Sequence, residues 1–196
     1  MTREQDDVIG SLVALCKRME IKTLVQVGAE DGFESREIAA ATGCRAICFE
    51  PDVRTGPISP GLEWHQQAVG ATDGQVVFYV HKTSGLSGQL SREDGETKEM
   101  VPQTRLDTFC MTRKIQPDAI IIDTEGTTLD VLEGCGHILL RTKMLYCEVQ
   151  TTVFRAGMRL LPEVDAFLAI RGFTAHHGMP SYGAGDAQGN MTWIRP

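Results

Sequence analysis

Leu24-Val25-Gln26-Val27-Gly28-Ala29-Glu30-Asp31-Gly32-Phe33 decides how the rest of the chain is read. Three apolar residues and Gln26 in a row suit a central parallel strand buried on both faces. Gly28 and Gly32 then let the backbone turn sharply and approach a ligand that a Cβ would push away. A helix predicted from Glu34 to Ala41 follows, and its first free N–H groups are expected to face that ligand. Strand, glycine turn and helix start together form a nucleotide-type cofactor site.

Two cofactor classes are excluded by the same residues. A dinucleotide fingerprint needs Gly-x-Gly-x-x-Gly, and Gly28 is followed by Ala29-Glu30-Asp31. A phosphate loop needs a terminal Gly-Lys-Ser/Thr, which is absent. Glu30 and Asp31 also put negative charge where a polyphosphate would lie. A ligand with a cationic or neutral end fits better, as the ammonium and sulfonium of S-adenosylmethionine do.

Working outward, Val8 to Met19 has apolar residues near a helical period, with Lys17 and Arg18 in the last turn, as expected for a cover helix. Arg45 to Glu50 reads as the second strand, and Glu50 at its end is placed to accept the hydroxyl hydrogens of a ribose. Leu62 to Val69 reads as one further strand and Gln75 to Val80 as another, the latter ending at His81. A small, polar stretch from Lys82 to Leu90 leads into a charged loop from Ser91 to Glu99, Val101 to Leu106 reads as a short strand, and Asp107 is expected to cap the next helix. Ala119-Ile120-Ile121-Ile122 between Asp118 and Asp123 is a second buried central strand, with Asp123 and Glu125 at its end. A helix then stops at Gly134, and Met144 to Val149 again ends near an acid, Glu148. After a helix from Pro162 to Ile170, the segments 172–175 and 191–194 are expected to pair as an antiparallel hairpin at the sheet edge, across a glycine-rich loop.

Strands alternating with helices, closed by a reversed hairpin, indicate an α/β fold with a doubly wound, mostly parallel sheet. One domain over residues 1–196 is expected: a cover helix (1–22), a cofactor-binding core (23–150) and a substrate-side helix with the hairpin (151–196). With 26 acidic and 19 basic residues, the net charge of −7 argues against nucleic acid as a partner. Six scattered cysteines suggest buried free thiols, not zinc ligands or disulfides. The polar, acidic N-terminus is unlike a signal peptide and no apolar run approaches a membrane span, so a cytoplasmic setting is expected.

The residues also carry a resemblance. Val25-Gln26-Val27-Gly28-Ala29-Glu30-Asp31-Gly32, Phe49-Glu50-Pro51, Gln67-Ala68-Val69-Gly70, Thr104-Arg105-Leu106-Asp107 and Ile122-Asp123-Thr124-Glu125-Gly126 stand in the order found in FkbM-type methyltransferases. Val131-Leu132-Glu133-Gly134 and Cys147-Glu148-Val149 extend the likeness. It implies a Rossmann-like methyltransferase that uses S-adenosyl-L-methionine to methylate a hydroxyl of a sugar or small natural product. By that resemblance Gly28, Ala29 and Gly32 line the methionine part of the cofactor, joined by Gln26 and Ser35. Glu50 holds the ribose, Gln67 and Ala68 lie beside the adenine, and Asp123 faces the methyl group. The family often has an aspartate where Gln26 stands, and Gln26 accepts from an ammonium without charge assistance.

A hydroxyl nucleophile must lose a proton, so a base within hydrogen-bond reach is needed. Asp123 is the first candidate, followed by Glu125, Glu148 and His81. The three acids also have the oxygens to hold Mg²⁺, but strand-end acids gather in many α/β sites, and no metal is assigned. His176-His177 reads as a solvated loop feature and His65 as a packed residue. The rival from another class is a non-catalytic module that keeps the fold and acts through a partner. Candidate lids over a substrate are Ser84–Glu99 and Thr151–Leu161.

Overall fold

The computed structural model describes residues 3–91, 96–176 and 188–196. His177, the glycine-rich connection it opens, and residues 92–95 of the charged loop lie outside the described residues.

The sheet is built around β1 (Thr23–Val27), flanked in parallel by β2 (Arg45–Phe49) and β7 (Ala119–Ile122). The full order is β3 (Glu63–His65), β2, β1, β7, β8 (Met144–Gln150), β10 (Gln188–Ile194), β9 (Thr174–Ala175). Only β10 runs against the others, pairing with β8 and β9. The expected hairpin therefore exists, but β10 inserts inside the edge strand β9 and makes β8 an interior strand. This explains why all seven residues of β8 are buried.

Period-two alternation divides the core between the two faces. Val25, Val27, Ile120, Ile122, Leu145 and Cys147 point to the layer of α3 (Leu106–Arg113), α4 (Thr128–Cys135) and α5 (Leu161–Ala169). Leu24, Ile121, Met144 and Tyr146 point to the other face, where Leu12, Leu15 and Cys16 of α1 (Arg3–Arg18) meet Ile38 of α2 (Phe33–Thr42). The six cysteines are buried free thiols. None of the described helices is long and apolar enough to cross a membrane.

Three local expectations are corrected. The stretch 62–69 is not one strand: Gln67 N–H turns back to the His65 carbonyl (2.9 Å), and the chain leaves the main sheet there. Ala68–Val69 (β4) instead pairs in parallel with β6 (Thr97–Thr104), which is also antiparallel to β5 (Gly74–Val80), in a separate three-stranded sheet. Asp107 does not cap α3; Arg105 occupies that position. The two residues form a paired ion bridge (2.9 and 2.7 Å), and Arg105 also reaches the carbonyls of Ala71 and Glu133. Gly134 does not stop α4, which runs to Cys135.

Gly134 is required by packing instead, since a Cβ there would fall 2.0 Å from the Gly70 carbonyl oxygen. Gly134→Ala gains about 1 kcal/mol of helix propensity but overpacks a backbone contact, which costs up to about 3 kcal/mol. The clash wins, and a thermal melt should show a net loss of several degrees. An unchanged or higher midpoint would mean that α4 shifts freely.

Candidate active site

Strand order reverses between β1 and β7, and the crevice beyond their carboxyl ends is where a doubly wound sheet binds ligands. A cleft opens there in two joined halves of about 280 and 330 Å³. Gly28, Glu30 and Asp123 line both halves. The larger half also holds Gln26, Asp31 and Glu34; the other holds Glu50, Gln67, Ala68, Glu125 and Glu148. The sheet thus gathers acids from three strand ends into one space.

Gly28 is the hinge of this arrangement, with a φ of 74° and a backbone so near β7 that a Cβ would lie 1.6 Å from the Asp123 carbonyl oxygen. The Gly28 and Ala29 N–H groups both donate to the Phe49 carbonyl (3.0 and 3.1 Å). The first N–H groups of α2 are also satisfied within the protein, Phe33 by Asp31 and Ser35 by Gln26. The N–H groups of Phe33 and Ser35, expected to face a ligand, are thus taken up by side chains of the protein.

Glu50 is buried, with one carboxylate oxygen accepting from Glu30 N–H (2.9 Å) and the other from Asp52 N–H (2.8 Å). These bonds aim the carboxylate and leave each oxygen a second lone pair. Burial outweighs them and pushes the Glu50 pKa up to about 7. Asp123 opens to solvent in the cleft, yet the protein around it and the charges of Glu125, Glu34, Glu30 and Glu50 raise its pKa. Glu148, buried and facing Asp123 and Glu125, is raised as well.

These shifts set a pH dependence. Between the ordinary value of 4.5 and about 7, folded Glu50 holds a proton that the unfolded chain has lost. Stability from this source is complete below the lower value and disappears as pH rises through the upper one. Asp107 and Asp118, whose pKa values are lowered from 3.8, change charge below that window. The melting temperature of the ligand-free protein should therefore fall from pH 5 to 8. Glu50→Gln should flatten the fall, and a wild-type profile that rises over this range contradicts it.

Several candidates have other roles. Gln26 lines the cleft, but its carbonyl oxygen is taken by Ser35 N–H and Oγ (3.2 and 2.6 Å), while its amide donates to Glu34 (3.0 Å). Ser35 is fully buried behind the cleft, bracing Gln26. Gly32 does not line the cleft either; it caps α2 at φ 79°, where a Cβ would meet Leu62 at 2.6 Å. His81 is not among the residues that line either half, and its Nδ1 accepts from Thr83 N–H (3.1 Å). His65 is packed between Phe49 and Phe109, as expected.

Two residues at the cleft escaped the sequence reading. Glu34 looked like an ordinary first-turn helix acid. Arg155, 2% exposed, forms a buried ion pair with Glu125 and stood in a segment without a motif. Asp123, Glu125 and Glu148 bring one oxygen each within 4.8 Å of the others, and Arg155 supplies positive charge to that trio from within the protein.

The donor set agrees with the expected cofactor. Among the described residues, seven acidic side chains and no lysine or arginine line the two halves, which favours a cationic ligand and opposes a polyphosphate. A doubly wound sheet of this order, with a cleft at its switch point, is a Rossmann-like fold. Two solved methyltransferases share the fold: magnesium protoporphyrin IX methyltransferase from Synechocystis PCC 6803 (10% identity, 98% of this chain and 80% of that one, TM-score 0.56) and precorrin-6y C5,15-methyltransferase from Geobacter metallireducens GS-15 (10%, 96% and 89%, 0.51). Residues 26–175 match the Methyltransferase FkbM domain, and the chain belongs to that family, whose methyl donor is S-adenosylmethionine. A curated relative, the 2-O-methyltransferase NoeI of Sinorhizobium fredii (strain NBRC 101917 / NGR234), is 24% identical over 151 residues. That match spans 64% of this chain and 62% of NoeI.

Proposed function

We propose that the protein is an S-adenosylmethionine-dependent O-methyltransferase acting on a hydroxyl of a sugar or small natural product. The observation that carries this is the position of Asp123 at the junction of the two halves of the cleft, facing both. The likeness to a 2-O-methyltransferase supports a hydroxyl acceptor.

Glu34, held by the Gln26 amide, takes the ammonium of the cofactor in the place of a strand-end acid. Glu50 accepts from the ribose hydroxyls, and Gln67 and Ala68 flank the adenine. When bound, the cofactor supplies a methyl group already activated on a cationic sulfur. The protein's own work is alignment and proton removal, since a reacting pair needs an approach of about 3–3.5 Å. Asp123 takes the proton of the acceptor hydroxyl, and Glu148 beside it keeps the shared negative charge close. In the ligand-free cleft these acids hold protons against mutual repulsion; a cationic ligand favours their ionised forms and so generates the base. Cofactor binding should therefore release protons near pH 7, measured by calorimetry in buffers of different ionisation enthalpy. Proton uptake would contradict this account.

The deciding test is a thermal-shift titration with S-adenosylmethionine, 5′-methylthioadenosine, NAD and ATP. At 100 times its dissociation constant a ligand adds about 2.7 kcal/mol, which is easily seen. A shift with the first two ligands is expected. Glu34→Gln should weaken S-adenosylmethionine about tenfold and leave 5′-methylthioadenosine, which has no ammonium, unchanged. No shift with any nucleotide would favour a non-catalytic module, and a shift with NAD alone would overturn the reading of the glycine turn.

A further inference from the structure

A second cavity of about 380 Å³ opens between the loop after β5 and the segment after β8. Gln89 lines both this space and the cofactor cleft. Between them stand Gly88 and the Arg155–Glu125 ion pair, packed so closely that a Cβ on Gly88 would lie 3.1 Å from Arg155 Nη1 and 3.3 Å from Glu125 Cβ. Arg155 also donates to the Leu90 carbonyl (3.3 Å), which ties the two walls together. The partition is one glycine and one ion pair thick. The two spaces meet at Gln89, the residue that lines both.

The lining specifies the chemistry of what enters. Among the described residues its one charged side chain is Arg155, which is 2% exposed and bound to Glu125, so an anionic group gains little from it. Tyr79, with the Lys98 ammonium 5.4 Å from its ring centroid, and Phe154, 38% exposed, offer aromatic surface. Gln89 offers an amide whose one protein bond among the described residues is a long one, 3.4 Å to the Val69 carbonyl. Two aromatic surfaces with an amide, and no uncommitted charge among the described lining residues, suit a neutral ring with C–H faces and hydroxyl edges.

Resting on the methyl-transfer reading above, we infer that this cavity receives a glycosyl ring flanking the methylated hydroxyl, with Phe154 against its C–H face and Gln89 on its hydroxyls. The acceptor is then at least two rings long, and Phe154 helps to set specificity.

Saturation-transfer NMR on the full chain with S-adenosylhomocysteine tests this. The probes are lactose, maltose and cellobiose, the corresponding methyl hexopyranosides, and catechol and benzoate as aromatic and anionic controls. Both rings of at least one disaccharide should receive saturation. Phe154→Ala should cut transfer to one ring at least fivefold, Phe154→Trp should retain it, and neither should change the melting shift caused by S-adenosylhomocysteine. The inference is overturned if no disaccharide is saturated, if Phe154→Ala leaves both rings unchanged, or if a control binds in their place. Disaccharide binding with that pattern, but without any shift from S-adenosylhomocysteine, would sink the methyltransferase reading and leave the glycosyl site standing.

Discussion

Glu50→Ala should weaken S-adenosylmethionine binding about 100-fold, measured by calorimetry at pH 7.5. Hydrogen bonds to a charged acceptor contribute about 1.5–3 kcal/mol each, and Glu50 is aimed to accept more than one. The carboxylate also holds the Glu30 and Asp52 amides, so the alanine variant loses loop order as well as a ligand contact. Glu50→Gln separates these effects. It keeps one acceptor for the backbone and can still bond a hydroxyl, so a loss of about tenfold is expected. Its affinity should also lose the part of the pH dependence that comes from Glu50. Affinity unchanged in both variants would remove Glu50 from the site.

Gly28→Ala should be the most damaging single substitution to the fold. A residue other than glycine at φ 74° costs about 1–2 kcal/mol. The added Cβ would also stand 1.6 Å from the Asp123 carbonyl oxygen, a backbone atom that cannot rotate away. Relief requires β1 and β7 to separate where Val27 pairs with Ile122 and Asp123 N–H bonds the Val27 carbonyl (2.9 Å). A loss of 3 kcal/mol or more follows, roughly a 10 °C fall in midpoint for a chain of this size. Cofactor binding should fail in whatever remains folded. A midpoint within 2 °C of the wild type would mean that the strand ends move apart easily, and the account of the cleft would then be wrong.

Much of this was legible from local pattern. β7 is a run of four apolar residues between acids, and such a run suits a strand buried on both faces. Glu50 and Asp123 each follow a buried strand, and in a doubly wound sheet that position faces the crevice. The absence of Gly-x-Gly and of a phosphate-loop lysine argued against polyphosphate ligands, and the described residues gather acids at the same strand ends. Fold class, cofactor class and the main carboxylates therefore belong to the sequence.

What the sequence left open were the choices that depend on neighbours distant along the chain. Gln26 is a side chain at a strand end, but Ser35 and Glu34 on α2 decide that its oxygen faces inward. The stretch 62–69 has the composition of one strand, and it divides because β6, about 35 residues later, captures Ala68–Val69. Gly134 reads as a helix stop until Gly70 is brought against it. Arg155 has no motif, and only the packing of two segments against Glu125 gives it a role. Period and turn chemistry act over a few residues, so the sequence itself determined the elements and the acids at their ends. Tertiary packing decided which polar atoms stay open to a ligand and which are consumed by the protein, because a hydrogen bond or a clash depends on distances of tenths of an ångström between segments up to a hundred residues apart.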